Sequence, residues 1–163
     1  MTLDLRLRPF AVEDTDAVID LRNRAFEELS GNVYTAAQKA ALRENRAQKD
    51  YAEELIRNHI MLGSNDRLGL VAMGGWIAMP EDPSIGRIRK LAVHPSAARR
   101  GLGRRMVEDA ERRAQEAGCV GFIVRSSLNA VPFYQALGYR ITGHGVVPTA
   151  AGIDIPMTMM AKP

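Results

Sequence analysis

The feature that most constrains this chain is a glycine turn between a predicted strand and a predicted helix. Residues 85–93 alternate apolar and charged side chains and end before Pro95, which predicts a strand. Leu102 and Met106 begin an apolar stripe at helical spacing. Residues 120–124 are almost wholly apolar and predict a buried strand. A strand–helix–strand unit of this kind predicts a parallel crossover.

The N-terminal half predicts one strand followed by helices. Residues 3–8 alternate leucines with charged residues, which predicts a first strand that ends before Pro9. An amphipathic helix reaching residue 29 follows. Thr35 and Gln38 have capping-box spacing and open a second helical region, either one long helix or two short ones.

The remaining strands are linked by hairpins, so they are expected to be antiparallel. Asn65-Asp66 predicts one hairpin turn, and residues 139–147 and 153–160 predict the last two strands. No linker divides the chain, so one domain over residues 1–163 is expected. The predicted fold class is α/β: a mixed, mostly antiparallel sheet with helices on both faces.

Charge is distributed unevenly along the chain. The net charge is only +3, but seven basic residues fall in one short stretch, namely Arg87, Arg89, Lys90, Arg99, Arg100, Arg104 and Arg105. A local cluster of this kind indicates an anionic ligand, either nucleic acid or a phosphate-bearing small molecule.

The turn itself, residues 99–104 (RRGLGR), has the composition of a phosphate site. The first amides of a helix have no internal acceptors and, with the helix dipole, attract anions. Glycines allow a pyrophosphate to approach those amides, and the arginines add forked donors. A Walker A loop and a dinucleotide fingerprint fit less well, because Gly-Lys-Ser/Thr is absent and Met106 stands where a small residue is needed. Taken alone, the turn also fits a tight connection on a basic surface.

Residues 89–139 (RKLAVHPSAARRGLGRRMVEDAERRAQEAGCVGFIVRSSLNAVPFYQALGY) resemble the GCN5-related N-acetyltransferase (GNAT) superfamily. The likeness lies in an apolar–x–Val–x–Pro strand end, the glycine turn, and an Asn-x-x-Ala–x–x–Phe-Tyr–x–x–x–Gly-Phe/Tyr block. One position departs from the family pattern: Ala98 stands where Arg or Gln is usual. The resemblance implies that this position acts mainly through its backbone amide, and Arg99 and Arg100 are expected to supply the missing charge.

The resemblance implies an acyltransferase that transfers acetyl from acetyl-CoA to a primary amine of a small molecule or peptide. It implies a bulge that splays the strand of residues 85–93 from the next strand, forming a central parallel pair with a gap for the cofactor. The implied cofactor-binding residues are Leu91, Ala92, Val93, Arg99, Arg100, Gly101, Leu102, Gly103, Arg104 and Asn129.

The resemblance also places Tyr134 beside the thioester sulfur as the catalytic acid. Taken alone, Tyr134 fits a core tyrosine. An amine is mostly protonated at neutral pH, so a base is needed as well. The base stays open among a water chain and five side chains, namely Glu81, Asp82, His94, His59 and His144.

Two other functions remain as alternatives: a non-catalytic CoA-binding or sensing domain, and, ranked last, a nucleic-acid module. We expect no nucleic acid, membrane or metal partner, because base-reading elements, apolar spans and clustered ligands are missing. The single cysteine, Cys119, is expected in the core, and the protein in the cytoplasm. The apolar region of Ile153, Ile155 and residues 157–160 is a candidate homodimer interface.

Overall fold

The sheet has seven strands in the order β1-β2-β3-β4-β5-β7-β6, in a computed structural model that describes residues 3–163. The strands are β1 (Arg6–Pro9), β2 (Met61–Asn65), β3 (Gly69–Ala78), β4 (Ile85–Val93), β5 (Gly121–Ser127), β6 (Arg140–Val147) and β7 (Ile155–Lys162). Neighbouring strands are antiparallel except β4 and β5, which are parallel. The predicted fold class and the parallel crossover are confirmed.

Five α-helices flank the sheet, namely α1 (Thr15–Leu29), α2 (Ala36–Arg46), α3 (Tyr51–Arg57), α4 (Leu102–Glu116) and α5 (Val131–Ala136). The capping box that opens α2 is present: the Gln38 amide donates to Thr35 Oγ1, and the Thr35 amide donates to Gln38 Oε1. The second helical region is therefore two helices, with a break at residues 47–50.

Alternation along β4 directs its side chains to opposite faces of the sheet. Ile88 packs in one core with Val107 and Ala110 of α4. Arg89, the next residue, reaches Glu54 of α3 at 3.2 Å. Thus α4 covers one face of β4, and the other face turns toward α1–α3, where a cleft opens.

Three sequence expectations are corrected. Pro9 is paired within β1, which its position at the sheet edge permits because an edge strand leaves one row of amides unpaired. Val120 is 75% exposed and precedes β5. Ile155 and Met160 lie in the core, so these two side chains are not available to a homodimer interface.

Two further observations concern the single cysteine and the apolar character of the helices. Cys119 is buried, with Sγ 3.6 Å from the Pro83 carbonyl oxygen, and burial raises the pKa of its thiol. Its expected core role is confirmed. Within residues 3–163, none of the helices combines the length and the apolar character that crossing a bilayer requires.

Candidate active site

A bulge in β4 creates the central feature of the site. Two β4 residues, Lys90 and Leu91, lie opposite one β3 residue, Gly74. Lys90 has a φ of 58°, in the left-handed region. β4 pairs with β5 only over Ile85–Arg87, so beyond that point the two strands part. The predicted bulge and splayed pair are both present.

The parting of the strands leaves backbone groups of β4 without a strand partner. The His94 amide donates to the Val71 carbonyl at 2.7 Å. Bonded and non-bonded pairs alternate along an antiparallel ladder, so Ala92 bonds with Met73 of β3. The N–H and C=O of Val93 therefore point away from β3, toward the gap beside β5.

A cavity of about 200 Å³ fills this gap. Its lining includes five predicted cofactor-binding residues, and to these the structure adds Phe133. The five are Leu91, Ala92, Val93, Gly103 and Asn129. Asn129 is exposed, and its Nδ2 lies 3.4 Å from the carbonyl oxygen of Leu29, the last residue of α1.

The glycine turn opens α4 at one end of this cavity. Arg99 and Gly101 have φ values of 61° and 79°. The first α4 hydrogen bond runs from the Arg105 amide to the Gly101 carbonyl at 3.1 Å, so the amides just before it have no acceptor in the helix. Unlike those amides, the Ala98 amide already has an acceptor: it donates to the Pro95 carbonyl at 3.2 Å.

The turn packs against the helix that carries Tyr134. A Cβ atom on Gly103 would lie 3.1 Å from the Phe133 ring, closer than side chains ordinarily approach. Glycine at this position thus brings α4 and α5 together. Four further predicted cofactor-binding residues are exposed on this turn, namely Arg99, Arg100, Gly101 and Arg104. Leu102, which was also predicted, is buried behind the turn.

Tyr134 lies in an aromatic cluster. Its ring meets Phe133 and Tyr139 edge-on, with centroids 5.0 and 5.5 Å away. Burial raises the pKa of Tyr134, which keeps the hydroxyl protonated at neutral pH. Tyr134 also lines a cavity of about 180 Å³ shared with Leu91 and Lys90. A proton donor thus faces the gap between β4 and β5.

The five side chains considered as bases line neither of these two cavities nor the larger one that adjoins them. His94 caps a short turn, where its Nδ1 accepts the Ser96 amide at 3.1 Å. His59 stacks on Trp76, with ring centroids 4.7 Å apart. Asp82 accepts from the Ser84 hydroxyl and amide, which hold the pKa of its carboxyl below the usual value.

A carboxylate that the sequence did not single out does line the site. Glu54 Oε1 lies 2.7 Å from Lys90 Nζ and 3.2 Å from Arg89. Burial pushes the pKa of Glu54 up, but the hydrogen bond and charge of Lys90, with the charges of Arg89 and Arg22, bring it below its usual value. Burial and then the charge of Arg22 lower the pKa of Lys90 to about 7.

A larger cavity of about 410 Å³ continues from there between α1–α3 and the β4–β5 pair. Arg22 and Arg46 line all three cavities, so the three adjoin. Only three of the seven clustered basic residues of the sequence line this space, namely Arg87, Arg89 and Lys90. The cluster is therefore two sites, one in the cleft and one at the glycine turn.

Comparison with known proteins identifies the family. The sequence model of the acetyltransferase (GNAT) domain matches residues 31–161. The chain belongs to the GNAT acetyltransferase family. One relative, the uncharacterized N-acetyltransferase YjcF of Bacillus subtilis, is 28% identical over 117 residues, which cover 71% of this chain and 80% of that protein. The predicted acyltransferase activity thus has the support of the family assignment.

Solved structures of GNAT proteins share the fold. A GCN5-related N-acetyltransferase from Rhodopseudomonas palustris superposes with a TM-score of 0.83 at 22% identity, covering 99% of this chain and 98% of that one. The PaiA N-acetyltransferase from Thermoplasma acidophilum, solved in complex with coenzyme A, has a TM-score of 0.78 at 15% identity, covering 98% and 99%.

Proposed function

We propose that this acetyltransferase takes its acetyl group from acetyl-CoA and transfers it to a primary amine of a small molecule or peptide by direct attack. The observation that carries the proposal is the gap between β4 and β5, which runs from the glycine turn to Tyr134. The T. acidophilum neighbour was solved with coenzyme A, which supports the same ligand for this shared fold.

The glycine turn is the proposed pyrophosphate site. Its open amides and the α4 dipole favour an anion, and a φ of 79° at Gly101 sets the turn. The side chains of Arg99, Arg100 and Arg104 are exposed around it and add forked donors. Leu102 and Gly103 complete the turn, with Leu102 anchoring it in the core.

The pantetheine arm is proposed to lie along β4. Val93 presents its backbone groups to the gap, whereas Ala92 bonds to β3 and contributes only its side chain to the wall. Leu91 follows the bulge and lines both the cavity of the gap and the one shared with Tyr134. Asn129 stands at the opposite wall, where its amide can bond the arm.

Bound acetyl-CoA supplies a thioester whose carbonyl carbon the amine attacks. The Val93 N–H is the proposed donor to the carbonyl oxygen, because fixed donors stabilise the charge that develops there. Tyr134 is the proposed acid that protonates the departing sulfur. Burial raises the pKa of Tyr134, so the hydroxyl carries its proton at neutral pH.

The Glu54–Lys90 pair is the proposed proton acceptor for the incoming amine. It is a carboxylate–amine pair in the cleft, and the pKa of Lys90 near 7 leaves a neutral fraction at physiological pH. We expect kcat/KM to rise through about pH 7, the pKa of Lys90. Lys90→Met should abolish that rise, and a profile unchanged by the substitution would contradict the assignment.

Thiol release tests the proposal directly. Protein, acetyl-CoA and a panel of amines are mixed, and free CoA thiol is measured. Acceptor-dependent release is the expected result. Calorimetric binding of CoA without release for any amine would instead favour the non-catalytic sensing domain.

The homodimer remains a proposal, with the sheet edge as its site. β6 is an outer strand, and its Ile141 and Val146 are 46% and 53% exposed. Unpaired strand edges favour association with a second copy. Sedimentation equilibrium tests it: a dimer that Ile141→Lys dissociates supports this edge, and a monomer at all concentrations contradicts it.

A further inference from the structure

The cleft between α1–α3 and the β4–β5 pair has an unusual charge. Six basic side chains line it, namely Arg22, Arg46, Arg87, Arg89, Lys90 and Arg125. Among the described residues, only two carboxylates, Asp50 and Glu54, line it with them. The cleft therefore has an excess of four positive charges when Lys90 is protonated, and of three when Lys90 is neutral, in a concave space of about 410 Å³.

The carboxylates do not neutralise the arginines. Glu54 is occupied by Lys90 and Arg89, and Asp50 is exposed. Two other cations of the cleft bond to neutral partners: half-buried Arg22 donates to the Tyr51 hydroxyl and buried Arg46 to Asn23 Oδ1, at 2.7 and 2.8 Å.

Arg87 is the clearest case of a cation in the cleft whose hydrogen-bonding capacity is not satisfied. Its Nε is buried and finds no hydrogen-bond partner among the described residues. Burial, and then the charges of Arg89 and Arg125, lower its pKa to about 9, yet the guanidinium still stays protonated at neutral pH. A buried donor with no partner destabilises a fold unless water or a ligand satisfies it. Arg125, two residues beyond the β5 partner of Arg87, is exposed and adds a second charge at the same opening.

Guanidinium groups bind carboxylates and phosphates through paired hydrogen bonds. The adjoining cavity, which Tyr134 lines, also contains Arg46, Lys90 and Arg125. A ligand whose anionic group lies among the arginines thus has its other end close to Tyr134.

We propose that the acceptor is a small amine that also carries a carboxylate or a phosphate, bound by Arg87 and Arg125 while its amine reaches Tyr134. The inference rests on the proposed function, because it concerns the acceptor of that same reaction. It disfavours polyamines and other purely cationic amines, which the cleft repels.

Matched acceptor pairs test the charge requirement. Phosphoethanolamine is compared with ethanolamine, and γ-aminobutyrate with butylamine, by thiol release at fixed acetyl-CoA. We expect the anionic member of at least one pair to have a kcat/KM at least about tenfold higher, since hydrogen bonds to charged groups contribute roughly tenfold or more to affinity. The two pairs distinguish phosphate from carboxylate.

Arginine variants locate the effect. Arg125→Gln should reduce the preference for the anionic amine about tenfold and leave the KM for acetyl-CoA unchanged. Arg87→Gln should reduce the preference by a similar factor. Because Arg125 is exposed, Arg125→Gln still tests the inference if Arg87→Gln does not fold. The matched control is Arg140→Gln, an exposed arginine on β6 that lines none of the three cavities of the described residues.

The failures can be told apart. Equal turnover of both members, or a preference that survives Arg125→Gln, overturns the inference and leaves the acetyltransferase proposal standing. If no amine releases thiol, the acetyltransferase proposal fails, and calorimetry then decides the inference. Phosphoethanolamine and ethanolamine are titrated into CoA-loaded protein: preferential binding lost in Arg125→Gln supports an anion site, and equal binding overturns it.

Discussion

The Tyr134 hydroxyl is a single oxygen atom in an aromatic cluster, so its removal tests chemistry with little change in packing. Tyr134→Phe keeps the edge-on contacts with Phe133 and Tyr139. We expect kcat to fall about 10²-fold, the lower end of what a positioned acid contributes, with the KM for acetyl-CoA changed less than about threefold. Steady-state thiol release measures both constants.

Tyr139→Phe is the matched control for that substitution. Its hydroxyl donates to Glu111 Oε2 at 2.8 Å, away from the cleft, so it should lower stability by about 2 kcal/mol and spare kcat. If Tyr134→Phe retains kcat within about twofold, or if both variants lose it alike, the acid role of Tyr134 is wrong.

Lys90 predicts a pH dependence of stability with a definite sign. Burial and the charge of Arg22 lower its pKa to about 7, well below the usual value of about 10.4. Between these values the unfolded chain binds more protons, so the contribution of Lys90 to stability rises with pH across this window. Lys90→Met removes that contribution.

Urea unfolding measures it. The free energy of unfolding of Lys90→Met is compared with that of the wild type at about pH 6 and at about pH 10. The difference should favour the variant by at least about 1 kcal/mol more at the lower pH, since one pKa unit is worth roughly 1.4 kcal/mol. Met retains an unbranched apolar stem, and what it loses is the ammonium, which lies 5.2 Å from the centroid of the Tyr51 ring. A stability difference that is the same at both pH values would contradict the lowered pKa.

At the scale of the element, α4 offers two glycines that separate backbone strain from ligand binding. Gly101 at its N-terminus and Gly118 after its C-terminus have φ values of 79° and 106°. A Cβ at either would meet no atom of residues 3–163 within 4 Å. Alanine at each should thus lower stability by about 1–2 kcal/mol, through the left-handed φ alone.

Only Gly101→Ala is expected to weaken the binding of acetyl-CoA. Relaxation of its φ moves the amides proposed to bind the pyrophosphate, so we expect the KM for acetyl-CoA to rise roughly tenfold, about 1.4 kcal/mol. Gly118→Ala should leave that KM unchanged. Equal effects of the two substitutions on KM, with equal losses of stability, would show that the turn does not hold the ligand.

The same elements show what the sequence could and could not predict. Local patterns specified the capping box of α2 and the full span of β4, because caps and alternation depend on neighbouring residues. Val120 was misassigned because apolar character does not reveal burial, and its exposure depends on where β5 enters the sheet.

The cleft was missed for a related reason. Arg46 and Glu54 are on different helices, and Arg125 is on β5, so only the fold brings them to one cavity. The basic residues are close together in the sequence, which suggested a single site. In the fold, the β4 bulge and the short turn after it separate them into two sites. Alternation along β4 was the available signal, since Arg87 and Arg89 share a face opposite Ile88.

At the scale of the whole molecule, the proposed ligand spans parts of the chain that are distant in sequence. The glycine turn, the β4 bulge and Asn129 surround one gap, and α1 closes it through Leu29 and Phe26. A ligand that binds only the folded state stabilises it by about 2.7 kcal/mol at one hundred times its Kd. For a chain of this size we therefore expect CoA to raise Tm by roughly 5–10 °C.

Hydrogen exchange shows where that stabilisation is felt. Without ligand, the amides of residues 99–104 precede the first α4 hydrogen bond, so they should exchange fast, and CoA should slow them together with the amide of Val93. The outer strand β6 should be unaffected, which makes it the internal control. Gly101→Ala should reduce the Tm shift at the same CoA concentration, because the shift scales with affinity. Protection confined to β6, or a Tm shift that this substitution leaves intact, would mean that CoA binds elsewhere and that the gap between β4 and β5 has another use.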